Sequence, residues 1–255
     1  MLLTTQRRDR IPEPTPPAKN GCPTCWVRHL CMAMDRPDGE TLERIDALIQ
    51  HRPPLRKGEH LYRAGEACAG IHIVQTGLVR KFSLTPDGTE RVIGFHMGAD
   101  VLGLEALDNA VHRFSAQALD TTSVCLLPTE SLKDIACHLT PIFHQLIRML
   151  AYAEYQASRG ILALQGLPAE VRVIGFLLRL SQRYQARGMN SREFPMRVPR
   201  QDLANYLGLN PATVSRVITR LEREGLIARQ AQHQLLCLPD PEGLRAKARG
   251  YEAFF

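Results

Sequence analysis

The spacing of apolar residues changes character along the chain. Between Thr41 and Gln50, Leu42, Ile45, Leu48 and Ile49 recur at helical spacing, which predicts a short amphipathic helix. From His60 to Pro128 the pattern turns to brief β-rich runs: His60–Arg63, Ile71–Gln75, Leu78–Leu84, Arg91–His96, Phe114–Leu119 and Ser123–Leu127. Glycines at 58, 65, 77, 88, 98 and 103 punctuate them, and Asp87-Gly88 is a hairpin turn signal. Short strands with a glycine at most corners predict a small β-barrel or jelly roll. Past Pro128 the helical period returns. From Ile142 to Gln165, Leu146, Met149, Leu150, Ala153, Ala157, Gly160, Ile161 and Leu164 step by threes and fours as an a/d seam. Such a seam can lie on its own barrel, but small residues at Ala153, Ala157 and Gly160 suit close approach of a second helix, so a parallel homodimer is expected. A helix over Ala169–Arg187 follows, with Val171, Val173, Ile174, Leu177, Leu178 and Leu180 as its apolar content.

The densest local pattern is PRQDLANYLGLNPATVSRVITRLEREGLI, Pro199 to Ile227. A helix bearing Leu203, Ala204 and Leu207 stops at Gly208, a residue that takes the left-handed conformation of a helix end. Asn210 is a good N-cap, and Pro211 sits at the first helical position, where its missing N–H costs nothing. In the second helix Val214, Val217, Ile218 and Leu221 share a buried face, while Ala212, Ser215, Arg216 and Thr219 lie opposite. A helix-turn-helix needs this layout: short side chains let the backbone enter the major groove, and arginine reaches guanine O6/N7. Leu226–Arg229 and Leu235–Leu238 around Gln230–Gln234 predict a two-stranded wing.

Charge sharpens that picture. The chain of 255 residues has a net charge of +6, yet residues 1–164 hold 18 Lys/Arg against 18 Asp/Glu, while 165–255 hold 14 against 8. The whole excess falls in the third that carries the helix-turn-helix, as expected of a module facing a polyanion. Residues 1–21, with Pro12, Pro14, Pro16 and Pro17 and few apolar positions, are expected to form a flexible lead-in. No stretch approaches 18 apolar residues, and the first residues have no apolar core ahead of a cleavage site, so a cytoplasmic chain without a membrane span is expected.

In a reducing compartment, seven cysteines point to metal or redox chemistry before a disulfide frame. Cys22, Cys25 and Cys31 cluster within ten residues, and Cys125 lies far away on the last barrel run. Thiolates at such spacing hold an Fe–S cluster or zinc, with Cys125 or His29 as a fourth ligand. Cys68, Cys137 and Cys237 stand alone and are expected as small buried apolar residues. Trp26, the single tryptophan, either shields a bound group beside Cys25 or anchors the loop. No His-x-His, Gly-rich phosphate loop or nucleophile–base pattern occurs, so an enzyme is not expected.

Cysteine cluster, glycine-cornered barrel, long dimer helix and winged helix-turn-helix, in that order, resemble the Crp/Fnr family of bacterial transcription regulators over about residues 20–240. Within it the chain looks most like the oxygen-sensing fumarate and nitrate reduction subgroup, through C-x₂-C-x₅-C at Cys22, Cys25 and Cys31, SVCLLP at Cys125, and the segments Gly94–Leu107, Phe114–Cys125, NYLGL and TVSR. The resemblance implies an α+β chain: flexible residues 1–21, a cluster loop and cyclic-nucleotide-binding-like barrel (22–140), a dimerisation helix (141–166) and a winged helix-turn-helix (167–255). It implies a [4Fe-4S] cluster on Cys22, Cys25, Cys31 and Cys125, leaving His29 a neighbour. It further implies homodimers that bind double-stranded DNA at TTGAT-like palindromes without oxygen, and contact with RNA polymerase, for which the hairpin tip Thr85–Thr89 is a candidate. An alternative keeps the regulator but lets the cysteines bind zinc or act as a thiol switch.

Two departures matter. The family's cyclic-nucleotide sensor uses a Gly-Glu pair and an Arg-Ser; here Gly103 is followed by Leu104, with Glu105 one place late, and the arginine's place is His112 or Phe114, with Arg113 out of step. No cyclic nucleotide is therefore expected. The subgroup's recognition helix reads Glu-x-x-Ser-Arg, whereas this chain has Ala212-Thr213-Val214-Ser215-Arg216. Ser215 and Arg216 carry over, with Thr213 and Thr219 beside them; the glutamate does not, so one half-site base pair is expected to be read less strictly or differently.

Overall fold

The computed structural model describes residues 46–138, 140–164, 166–230 and 235–251. Asp46–Leu48 is helical, but Gln50 corrects the predicted helix end: it opens strand β1 (Gln50–His51). Strands β2 (His60–Tyr62), β3 (Gly70–Thr76), β4 (Leu78–Leu84), β5 (Glu90–Met97), β6 (Val101–Leu102), β7 (Ser115–Ala118) and β8 (Ser123–Pro128) follow. They form two antiparallel four-stranded sheets, ordered β1-β8-β3-β6 and β2-β7-β4-β5. Leu61, Tyr62, Val74, Val79, Leu102, Ala116 and Val124 fill the interior of this jelly roll. Strands β1 and β6, each two residues long, are too short to leave a periodic signal.

Period two sorts the β8 side chains. Val124 packs inside, while Leu127 lies on the outer face against Ile135, Leu48 and Ile49. Cys125 therefore shares the outer face. It stands in register with Ile73 of β3 on one side and His51 of β1 on the other.

Helices α1 (Thr129–His138) and α2 (Thr140–Leu164) lead into α3 (Ala169–Gln185), and β9 (Glu193–Pro195) precedes α4 (Arg200–Leu207) and α5 (Pro211–Arg223). Strands β10 (Ala228–Gln230) and β11 (Leu235–Cys237) and helix α6 (Pro241–Lys247) complete the order. The wing is three-stranded rather than two, ordered β10-β11-β9, because Phe194 pairs with Leu236 and is itself fully buried. Its core, built on Val173, Ile174, Leu177, Leu203, Leu207, Val214 and Leu221, runs on into Phe82, Val92, Phe95 and Met97 of the barrel. The two halves of the molecule thus share one apolar contact zone.

The lone cysteines correct the expectation of burial. Cys137 is exposed near the end of α1, and Cys68 and Cys237 are only partly covered. Cys68 precedes β3, where its Sγ lies 3.4 Å from the Gly70 carbonyl, and Cys237 receives the Gln230 amide across the wing. An isolated residue has no periodic neighbours to tell which face it occupies.

Candidate nucleic-acid interface and thiol site

Gly208 ends α4 at φ +61°, and the Asn210 carboxamide oxygen caps α5 by accepting from the Ala212 N–H at 2.8 Å. Pro211 occupies the first turn. Val214, Val217, Ile218 and Leu221 are buried as their spacing requires; Ala212, Ser215, Arg216 and Thr219 are exposed, and Thr213 is half-buried. The Arg216 guanidinium lies back along its own helix, donating to Ala212 O (3.3 Å) and Thr213 Oγ1 (3.5 Å). These are weak local contacts that a base edge readily replaces.

The basic excess is unequally available. Arg220 faces Glu170 at 3.4 Å, Lys247 lies between Glu170 and Glu224, and Arg229 is bound to Glu222. Among the described residues Arg216 and Arg223 of α5 have no acidic partner within ion-pair distance. Burial and the Arg229 charge depress the Arg200 pKa, which marks a second concentration of positive charge beside the wing.

On α2, Met149, Leu150 and Gly160 are half-covered, while Ala153, Ala157 and Ile161 are exposed. Ile147, Tyr152 and Tyr155 are also large, apolar and exposed. The helix thus presents an uncovered apolar side broader than the predicted seam. Leu146 and Leu164 belong to the same helix, but their side chains lie outside the described set.

Cys125 is 3% exposed, and its Sγ approaches the Ile73 carbonyl at 3.7 Å. A dry thiol on the outer sheet face suits a soft metal centre. Cys22, Cys25 and Cys31, with His29 and Trp26, lie outside the described residues. The strand that crosses Cys125 through His51 is, however, the one by which the chain enters the barrel from the cysteine segment.

Gly103 and His112, two of the positions aligned with the nucleotide contacts, lie among buried rings. Gly103 (φ +87°) opens a single 3-10 turn, Leu104–Ala106, whose Glu105 reaches towards Lys81 at 3.8 Å. The His112 ring lies flat on Tyr62, centroids 3.7 Å apart, with His72 at 5.5 Å from Tyr62. Burial, with smaller effects of Arg52 and His112, pushes the His72 pKa down to about 4, so its ring is neutral near pH 7. Arg113 points outward to Asp108 at 2.6 Å.

Sequence reasoning missed the residues that join the two halves. Arg80 of β4 bridges Glu90 (2.7 Å) and Asp202 of α4 (3.2 Å), and the Asn205 carboxamide pairs with the β5 backbone. Arg183 of α3 and Arg187 just past its end grip Asp100 after β5. Apart from Arg80 and Glu90, which face each other across the β4–β5 hairpin, each partner is more than 80 residues away in sequence, beyond any local pattern.

A jelly-roll sensor module joined by a long helix to a winged helix-turn-helix defines a class of DNA-binding transcription regulators. Residues 52–137 match the cyclic nucleotide-binding domain family and residues 171–247 the Crp-like helix-turn-helix domain family. The chain belongs to the Crp/Fnr family. It is 36% identical over 229 residues to the transcriptional activator protein Anr of Pseudomonas protegens, covering 90% of this chain and 93% of that protein. It is 32% identical over 207 residues to the fumarate and nitrate reduction regulatory protein of Salmonella typhi, covering 81% and 82%. Among solved structures, FixK2 from Bradyrhizobium japonicum superposes with a TM-score of 0.69 at 29% identity, covering 78% of this chain and 96% of that one. The match of both modules to regulators, not enzymes, agrees with the absence of a catalytic pattern. Among the described residues no helix is long and apolar enough to cross a membrane.

Proposed function

We propose that this DNA-binding regulator responds to oxygen through a [4Fe-4S] cluster held by Cys22, Cys25, Cys31 and Cys125, and that it binds TTGAT-like palindromes as a homodimer when the cluster is intact. The observation that carries the reading is the position of Cys125: buried, on the outer face of β8, in register with the strand that follows the cysteine segment. Four thiols are the donor set of such a cluster, and a water-poor fourth position favours its retention. The cluster, when bound, supplies an oxygen-labile centre. Everything else falls to the chain.

The uncovered apolar side of α2 is the dimer seam, and Ser215, Arg216 and Thr219, with Ala212 and Thr213, are the reading surface. Pairing matters because two reading helices about 34 Å apart engage a palindrome that one would hold weakly. Cluster loss need only shift the dimer by a few kcal/mol to change site occupancy appreciably. A cyclic nucleotide is not the signal: Tyr62, His72 and His112 occupy the interior beside Gly103, and Arg113 faces solvent. The polymerase contact is assigned to the turn Thr85–Thr89, an exposed tip stiffened by Asp87, which accepts from Thr85 and Thr89 hydroxyls.

Iron and sulfide analysis of protein purified without oxygen, followed by DNA binding before and after air, tests the reading. Four iron and four sulfide per chain, with tight binding lost in air, is expected. Colourless protein holding zinc, or binding unchanged in air, overturns it.

A further inference from the structure

Strand β5 is the edge of its sheet, and its outward backbone groups are met by one side chain of the helix-turn-helix. The Asn205 Oδ1 accepts from Val92 N–H at 2.8 Å, and its Nδ2 donates to Glu90 O at 2.7 Å. Val92 and Glu90 are two apart, so these groups point the same way from the strand, and the carboxamide acts as a one-residue extension of the sheet. One turn earlier on α4, Asp202 receives Arg80 at 3.2 Å, and that guanidinium is itself held by Gln117 of β7 at 2.9 Å. Next to Asn205, Tyr206 meets Phe95 of β5 and Phe176 of α3 edge-on, at centroid distances of 5.4 and 5.9 Å. Helix α4 is therefore tied to the barrel by two backbone hydrogen bonds, an ion pair and a three-ring contact, all to strands β4 and β5 or to groups that brace them.

None of these ties touches the reading face: Ser215, Arg216 and Thr219 stay exposed. The alternative route from dimer helix to reading helix passes through Gly166, a bend at φ +71° between α2 and α3. Asp100, held by Arg183 and Arg187, fixes the end of α3 to the barrel and Arg197 pairs with Asp120, whereas the β5 contact fixes α4. Without it α4 would be free to shift about those remaining ties, and the orientation of the recognition helix in a dimer would vary.

We infer that Asn205 is a positioning residue that sets the half-site spacing this regulator accepts, by locking α4, and with it the recognition helix, to the β5 edge of the barrel. The inference rests on the dimeric DNA-binding reading above. One base pair of added spacing moves a half-site by about 3.4 Å and rotates it by about 34°. A locked pair of reading helices meets only one such arrangement, whereas a pivoting pair meets several, each with less gain from simultaneous engagement.

The test uses full-length protein purified without oxygen and carrying its cluster. Binding of wild type and Asn205→Ala is measured on duplexes with two half-sites at the preferred spacing, at one and two base pairs more or less, and on a duplex with a single half-site. Wild type is expected to lose about 30-fold in affinity per displaced base pair, as intramolecular engagement of the second half-site is lost. Asn205→Ala should bind the preferred duplex about tenfold more weakly, vary less than about threefold across spacings, and match wild type on the single half-site. Asn205→Asp keeps an acceptor for Val92 N–H but loses the donor to Glu90 O, so it should lie between the two; it also serves if the alanine variant does not fold. A spacing profile in Asn205→Ala as sharp as wild type overturns the inference, as does an equal loss on every duplex, single half-site included. Wild type that binds no duplex with its cluster intact overturns the dimeric reading itself.

Discussion

Asp100 is where the barrel and the DNA-binding module are most tightly joined, and Asp100→Ala should separate them. Its carboxylate accepts from the Met97 N–H at 2.8 Å and from Arg187 at 2.8 Å, and pairs with Arg183. Removing it leaves the Arg187 side chain, only 8% exposed, without its acid. Breaking such a pair from one side costs about 3–5 kcal/mol. The lower figure applies because Arg187 still donates to Gly98 O and Arg183 O, and Arg183 to Phe95 O. At a slope of about 2–3 kcal/mol per molar urea, a loss of about 3 kcal/mol lowers the midpoint by about 1 M at pH 7 and fixed protein concentration.

The pH dependence makes the assignment specific. Burial alone would raise the Asp100 carboxyl, but Arg183 and Arg187 hold it below the ordinary carboxylate range. A depressed folded pKa contributes stability that is complete above the unfolded value of about 3.9 and fades as pH falls through the folded value. The wild type and Asp100→Ala midpoints should therefore differ fully at pH 6–7 and converge below about pH 4. His96, the other titratable group facing this carboxylate, is pushed down to about 3 by burial and the Lys81 charge, so it is neutral through most of that window in both proteins. Midpoints within about 0.3 M of each other at pH 7, or a difference that persists unchanged at pH 3, would refute the reasoning.

Three further outcomes follow from the same geometry. Arg216→Ala should weaken the specific duplex by about 10- to 100-fold in a gel-shift titration while changing non-specific binding far less, since one base-reading arginine is worth about 1–3 kcal/mol of discrimination. Ala212→Glu should sharpen preference at one half-site base pair by a similar factor in selection from random DNA; an undiminished preference at every position in wild type would sink the argument that Ala212 relaxes reading. Ile161→Glu, at a residue 59% exposed on α2, should shift the protein from dimer to monomer in sedimentation without lowering its helix content, because a charge at the seam is buried unpaired in the dimer only.

Much of the local architecture was legible. The helix-turn-helix is written in consecutive signals: Leu203 and Leu207, the stop at Gly208, the cap at Asn210, Pro211, and the buried stripe from Val214 to Leu221. Each acts within one or two turns, so local spacing carries it. Strand β4 was bounded as predicted, Leu78–Leu84, because its alternating run ends in a turn built by Asp87 and Gly88. By contrast β9 went unseen: Glu193–Pro195 has no alternation and includes a proline, and it is a strand only because Leu236 lies beside it. At the thiol site the spacing of Cys22, Cys25 and Cys31 and the remoteness of Cys125 were readable. That Cys125 faces outward beside β1 was not, since β8 is apolar on both faces.

What the sequence by itself determined are the features that depend on neighbours in the chain: the cap and stop of the second helix of the helix-turn-helix, the alternation of the longer strands, the apolar seam of α2 and the placement of the basic excess. What only the tertiary structure decided are the joints. Asn205 on β5, Arg80 on Asp202, Asp100 between two arginines and Tyr62 under His112 all unite residues whose sequence separation is long and whose own surroundings are unremarkable. A polar side chain declares a partner only when folding brings one within hydrogen-bond reach, because the cost of leaving it unpaired arises on burial and not in the extended chain.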